Sequence, residues 1–453
     1  MEETNDLNRR KFFGKLGAGT LAMMAANTIP AYSIHSSLDK GKLAVLGGEP
    51  IRKNKAWPAW PQVTEKMLNA MADTTRSAKW SRISLKDGNV DTFEKAYAQL
   101  IGTKYCVGTG SGTQALATCV EALGIEPGDE VITSPYTDMG TVSAIITSRA
   151  LPVLADLHAD SYQIDPEDVE RKITPHTKAI IPVYLGGLAC DMDRIMAIAK
   201  KHNLKVIEDA CQGHLAGYKG KKLGTIGDLG CFSFQASKGI ACGEGGAVVG
   251  NDFDLMEQCF TVQNHGTARN GKHVTIGPKY RMNEFEGAIL MAQLDGVRER
   301  FELRNANADY LNAKLKDFPG LVPQRRYEGT ENGGLYIYAL AYHKEHFNNA
   351  DRSKFLKAIQ AEGIGFTGYI PNGLHREPWV DHLTGLRSYK KMYSTARLKT
   401  FKEQMVLPQC DIASSRMVSL WASGPLLGSR QDMDNIIDAI MKVYDHRDKL
   451  SEI

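Results

Sequence analysis

Lys178-Ala179-Ile180-Ile181-Pro182-Val183, a helical stretch from Met192 to His202, and Lys205-Val206-Ile207-Glu208-Asp209 together decide the fold. The first and third pieces are short, nearly continuous apolar runs of the kind that form strands buried on both faces, and the middle piece has helical spacing. The same alternation extends upstream. Tyr105-Cys106-Val107-Gly108, Glu130-Val131-Ile132-Thr133 and Leu151-Pro152-Val153-Leu154 read as strands. Helical patterns run over Asp91 to Leu100, from Gly110-Ser111-Gly112-Thr113 through Leu123, over Thr141 to Ser148, and over Pro166 to Ile173. Strands alternating with helices of this length predict a three-layer α/β domain with a mainly parallel sheet. Such sheets bind ligands beyond the carboxyl ends of their strands, where Asp209 and Gly110 to Thr113 fall.

Downstream of about Leu290 the texture changes. Arg298 to Phe318 reads as a long charged helix, Tyr336 to Leu340 as a half-buried strand, and Ser353 to Gly363 and Asp432 to Tyr444 as helices. A smaller α+β domain is expected over 300–453, after an N-terminal arm and large domain over 36–299. The arm contains Trp57-Pro58-Ala59-Trp60-Pro61, too aromatic for an idle linker.

Composition narrows the function. Of 453 residues, 43% are hydrophobic and 24% charged, with 55 Lys and Arg against 52 Asp and Glu, so the formal charge is only +3. That balance gives no support to a nucleic-acid binder driven by phosphate neutralisation. The eight cysteines contain no Cys-x-x-Cys pair, which argues against a metal site or a disulfide framework and for buried free thiols. At the N-terminus, Arg9-Arg10 precedes a mildly apolar, Gly- and Ala-rich stretch from Leu16 to Ala31 that is too short for a stable membrane span. This matches a twin-arginine export signal, so the first 35 residues stand apart from the fold and a periplasmic location is expected; an unused signal would leave the chain cytoplasmic.

Three features carry chemistry. Lys238 follows the apolar run Phe232-Ser233-Phe234 and precedes Gly243-Glu244-Gly245-Gly246, a poor setting for a solvated charge and a good one for an amine that attacks a carbonyl. Ser233 and Ser237 offer hydroxyls to an anion. Asp209 ends a buried strand, where a carboxylate needs a partner: a protonated pyridine nitrogen, or Asn, Arg or backbone donors. Gly108-Thr109-Gly110-Ser111-Gly112-Thr113 opens a helix and makes a phosphate cradle, matching neither the dinucleotide fingerprint nor a P-loop. Together, a phosphate cradle, a strand-end carboxylate and a strand-end lysine suit pyridoxal phosphate.

At these residues the chain resembles the sugar aminotransferases of the DegT/DnrJ/EryC/StrS group, which have the fold of type I pyridoxal-phosphate-dependent transferases. The resemblance spans Lys42 to Tyr444, through Gly110 to Leu116, Gly128 to Ile132, Lys178 to Val183, Ile207 to His214, Phe232 to Lys238, Gly243 to Gly246 and Tyr280 to Glu284. It implies that Lys238 is the Schiff-base lysine and proton shuttle and that Asp209 pairs with the pyridine nitrogen. It also implies that Gln212 lies beside the ring, that Gly112, Thr113 and Ser233 hold the phosphate, that His214 helps shape the site, and that two subunits complete it as a homodimer.

The chain departs from the group's pattern twice. The loop that usually places an aromatic ring over the cofactor reads Tyr136-Thr137-Asp138, so either Tyr136 moves in or the pocket differs. Lys279 stands where an amide usually meets the neighbouring subunit's phosphate. Likeness to the branch acting on keto-cyclitols rests on Leu43 to Pro50 and Gly424 to Asp434, and implies a keto-sugar or keto-cyclitol acceptor with glutamine or glutamate as amino donor. His375 and Arg376 are candidates for contact with substrate or donor carboxylate. The rival readings are a lyase or dehydratase on the same scaffold and a cofactor-binding sensor without activity.

Overall fold

Alternate residues along the central strands divide between two apolar cores, as expected of a sheet covered on both sides. Ile132, Ile180, Val206, Phe232 and Val249 point to one core. Their neighbours Val131, Ile181, Ile207, Cys231 and Val248 point to the other. The computed structural model describes residues 41–453; the Arg9-Arg10 segment and the apolar stretch after it lie outside these residues.

The main sheet contains β1 (Tyr105–Thr109), β2 (Glu130–Thr133), β3 (Leu151–Leu154), β4 (Thr177–Ile181) and β5 (Lys205–Asp209). After a small pair, β6 (Gly217–Tyr218) and β7 (Lys221–Lys222), it is completed by β8 (Leu229–Ser233) and β9 (Gly246–Gly250). The order is β1-β9-β8-β5-β4-β2-β3. Strands β3, β2, β4, β5 and β8 pair in parallel, and β9 runs antiparallel to both β8 and β1. The carboxyl ends of β1, β2, β4, β5 and β8 therefore lie along one edge of the sheet, and the start of β9 returns to the same edge. Thr109, Thr133, Asp209 and Ser233 end their strands there.

A second, three-stranded sheet has β12 (Ile337–Tyr342) between β10 (Leu321–Pro323) and β13 (Met417–Trp421); β11 (Thr330–Asn332) pairs with β6 instead. Its core, including Leu340, Phe355, Val418, Ile436 and Ile440, is built with helices Val297–Leu315, Arg352–Ala361 and Arg430–Asp445. The arm is tied to this core by charge. Arg52 bonds Asp432 at 2.5 Å and lies 3.6 Å from the centre of the Trp57 ring, while buried Lys442 pairs with Glu362 at 2.9 Å.

Boundaries differ from the sequence expectation for local reasons. The β4 strand stops at Ile181 because Pro182 has no N–H to donate. The helix expected from Thr141 starts at Met139, because Asp138 caps it by accepting a bond from the Gly140 N–H at 2.8 Å. Among the described residues, no helix is long and apolar enough to cross a membrane. All eight cysteines are free; only Cys211 and Cys242 are not fully buried.

Candidate active site

Where the strand ends converge, the chain leaves a cavity of about 400 Å³. Helix Gly112–Ala122 opens onto it. Ser111 caps that helix by accepting from the Gln114 N–H at 3.1 Å, which leaves the earlier N–H groups of Gly112 and Thr113 for a ligand. A Cβ at Gly112 would come within 2.7 Å of the Ser233 Cβ and 3.0 Å of the Cys211 Sγ, so only glycine brings the backbone this close to β8. Ser233, at the end of β8, also lines the cavity.

Asp209 is buried at the cavity wall. Thr141 donates to its Oδ2 at 2.8 Å and the Cys211 N–H to its Oδ1 at 3.2 Å. Burial raises its pKa from the ordinary aspartate value; the hydrogen bonds from Thr141 and Cys211 and the nearby Lys238 charge oppose this. Thr137 shares a 3.0 Å hydroxyl contact with Thr141, fixing the donor.

Lys238 is only 9% exposed, and its Nζ stands 3.9 Å from the centre of the Tyr336 ring. Its turn is held on several sides. Trp60 Nε1 donates to the Lys238 carbonyl at 3.0 Å, Ser423 Oγ to the Ser237 carbonyl at 2.6 Å, and Arg304 to the carbonyls of Ser423 and Gly239. Arg304 also lies 4.4 Å from the centre of the Trp60 ring, and burial, with Arg300 nearby, pushes its pKa down to about 9. Gln212 completes the wall: it accepts from the Gly186 N–H at 2.8 Å and donates to the Tyr369 hydroxyl at 3.0 Å.

Lys238, Asp209, Gln212, Gly112, Thr113, Ser233 and Asp138 thus line one cavity. Five other sequence candidates do not. Tyr136 is buried beneath the wall, with its hydroxyl donating to the Ile370 carbonyl at 3.0 Å. Asp138, the other alternative at that loop, lines the cavity and serves as the helix cap. His214 sits behind the wall between the Tyr97 hydroxyl (2.9 Å) and the Ser233 carbonyl (2.8 Å); burial pushes its imidazole down to about 4, so it is a neutral brace under β8. His375 and Arg376 both turn to Asp411, the latter through two bonds of 3.0 and 2.5 Å, away from the cavity. Lys279 is exposed on the loop over 265–282 and does not line its own chain's cavity.

Sequence reasoning missed Thr141, Tyr336 and Trp421 in the lining and Trp60 behind Lys238. The Trp-Pro pairs of the arm signalled a packed segment, but nothing local tied Trp60 to a carbonyl 178 positions away.

A sequence model described as the DegT/DnrJ/EryC1/StrS aminotransferase family matches residues 61–411. An L-glutamine:2-deoxy-scyllo-inosose aminotransferase of Streptomyces kanamyceticus is 34% identical over 435 residues, covering 90% of this chain and 98% of the relative. A putative L-glutamine:3-amino-2,3-dideoxy-scyllo-inosose aminotransferase of Micromonospora echinospora is 32% identical, over 89% and 97% of the two chains. Among solved structures, an aminotransferase from Psychrobacter cryohalolentis superposes with a TM-score of 0.77 at 27% identity, covering 87% of this chain and all of that one. A 3-amino-5-hydroxybenzoic acid synthase superposes with a TM-score of 0.74 at 27% identity, over 85% and 99%.

Proposed function

We propose, from the premise that this chain belongs to the DegT/DnrJ/EryC1/StrS aminotransferase family, that it moves an amino group from glutamine or glutamate to a keto-cyclitol or keto-sugar, using pyridoxal phosphate. The two glutamine-dependent relatives favour glutamine and a cyclitol. The carrying observation is the convergence of Lys238, Asp209 and a helix N-terminus on one cavity.

These residues fit the cofactor. Asp209 is a buried carboxylate whose charge is costly without a cation, and a protonated ring nitrogen supplies one. The N–H groups of Gly112 and Thr113, at the positive end of a helix and beside the Ser233 hydroxyl, suit a phosphate. The bound cofactor supplies an aldehyde that takes up the amino group and a ring that withdraws electrons from the reacting carbon. The chain supplies the rest. Asp209, ionised, would pair with the protonated ring nitrogen and keep it protonated, and Thr141 keeps that carboxylate aimed. With the cofactor bound, Lys238 Nζ would carry the donor's α-proton to the cofactor's reacting carbon and, in the second half of the reaction, a proton from that carbon to the acceptor. The Tyr336 face under Nζ steadies the cationic amine by roughly 0.5–2 kcal/mol. Replacing Lys238 by Ala (K238A) abolishes amino transfer on this reading, and turnover by that variant would refute it.

The working unit is proposed to be a homodimer in which Lys279 of one subunit faces the other's phosphate site. Two observations support this. The lining carries three carboxylates (Asp138, Asp209, Glu244) against one amine, so an anionic cofactor calls for cations from elsewhere. The loop that carries Lys279 also carries Ile276, which is 95% exposed. Mixing K238A with Lys279→Ala subunits should restore about a quarter of wild-type activity through mixed dimers with one intact site; no recovery would refute the shared site. Twin-arginine export is proposed from Arg9-Arg10 alone. Fractionation of cells expressing the wild type and an Arg9→Lys, Arg10→Lys variant tests it, and an unchanged distribution would refute it.

A further inference from the structure

A second recess, of about 420 Å³, lies beside the cavity, between the N-terminal arm and the end of β13. The two spaces share Gln235, Ser237 and Trp421, so a molecule reacting in the first reaches directly into the second. Their chemistry differs sharply. The inner cavity is lined by Lys238 and three carboxylates, whereas no Asp, Glu, Lys, Arg or His lines the recess. Its wall combines the rings of Trp60, Trp421 and Pro425 with the Gln235 amide and the Ser237 and Ser423 hydroxyls.

Trp421 is 41% exposed at the end of a strand whose other four residues are buried. It is nevertheless fixed, packed edge to face against Tyr336 (5.1 Å between ring centres, 85°) and Tyr369 (6.0 Å, 71°). The polar groups are fixed too. Gln235 Oε1 accepts from the Ser237 N–H and hydroxyl, which leaves its NH₂ group as a donor, and Ser423 is tied to the Ser237 carbonyl. An exposed aromatic face with a few oriented amide and hydroxyl groups matches a polyhydroxylated ring, whose C–H faces are apolar and whose rim is polar. A phosphate or diphosphate in the same place would lose water without gaining a cation.

We infer that this recess is the acceptor subsite, that it takes an uncharged polyhydroxylated ring against Trp421, and that it disfavours acceptors carrying phosphate or diphosphate; the assignment rests on the aminotransferase reading. The test is titration of the cofactor-loaded full-length protein with myo-inositol and with myo-inositol 1-phosphate, followed by calorimetry. Wild-type protein should bind the uncharged ring at least tenfold more tightly than its phosphate. Trp421→Ala should weaken inositol binding at least tenfold, and Trp421→Phe should recover it to within threefold. Equal or tighter binding of the phosphate, or unchanged inositol binding by Trp421→Ala, would overturn the assignment; the comparison on wild type decides even if the alanine variant fails to fold. Glutamine is added to the same wild-type samples while the absorbance of the bound cofactor is followed. A glutamine response alongside either adverse binding result overturns the subsite alone, and absence of the response overturns the aminotransferase reading and the subsite with it.

Discussion

Replacing Thr141 with valine removes one hydroxyl and keeps the shape of the side chain. That hydroxyl donates to Asp209 Oδ2 at 2.8 Å, and Cys211 supplies the other support, its N–H reaching Oδ1 at 3.2 Å and its thiol also bonding the carboxylate. Burial already raises the Asp209 pKa, so each bond to the ionised form counts toward keeping the carboxylate charged for its ring-nitrogen partner. A hydrogen bond to a charged group is worth about 1.5–3 kcal/mol, which corresponds to roughly a 10- to 100-fold loss in pyridoxal phosphate affinity. Titrating cofactor-free protein with pyridoxal phosphate and following the absorbance of the bound form measures it, with circular dichroism to confirm folding. Thr141→Ser keeps the hydroxyl and should stay within about threefold of wild type. Affinity unchanged in Thr141→Val, or lost equally in both variants, would refute the role given to the hydroxyl.

Arg376→Ala should leave the Michaelis constant for glutamine within about twofold and stability within about 1 kcal/mol, because Arg376 forms an exposed pair with Asp411 outside the cavity; steady-state kinetics and urea melts check both. His214 is held neutral, with a pKa near 4 against an ordinary value of 6.5, so the unfolded chain binds its proton more tightly. Its contribution is complete above pH 6.5 and lost as pH falls toward 4. Wild type should therefore lose about 3 kcal/mol more stability over that range than His214→Gln, measured by denaturant melts at each pH. Trp60→Phe keeps a ring for Arg304 but drops the bond to the Lys238 carbonyl, and should slow turnover about three- to tenfold with little change in thermal midpoint; turnover equal to wild type would remove Trp60 from the support of Lys238.

The parts of the fold legible in the sequence are those set by local pattern. The runs ending at Thr133, Leu154 and Asp209 are strands with the boundaries their apolar pattern predicts, because both faces of each are buried. The antiparallel return of β9 carried no comparable signal: Gly246 to Gly250 is a Gly-flanked run that reads equally well as part of a loop. At the site, Lys238 and Asp209 could be found because their charge sits against apolar neighbours in the chain. Tyr336 and Trp421 could not, since their relation to Lys238 depends on how β12 and β13 meet the edge of the main sheet. Arg376 shows the converse: an arginine beside a histidine suggests a carboxylate partner, and within this chain that carboxylate is Asp411.

The most direct test of Lys238 chemistry is the absorbance of pyridoxal-phosphate-loaded protein before and after adding glutamine. Wild type should hold a cofactor band that glutamine converts in one stoichiometric step and that a keto-cyclitol restores, while K238A shows neither change. A band that no amino donor shifts, or a K238A variant that turns over, would contradict the assignment.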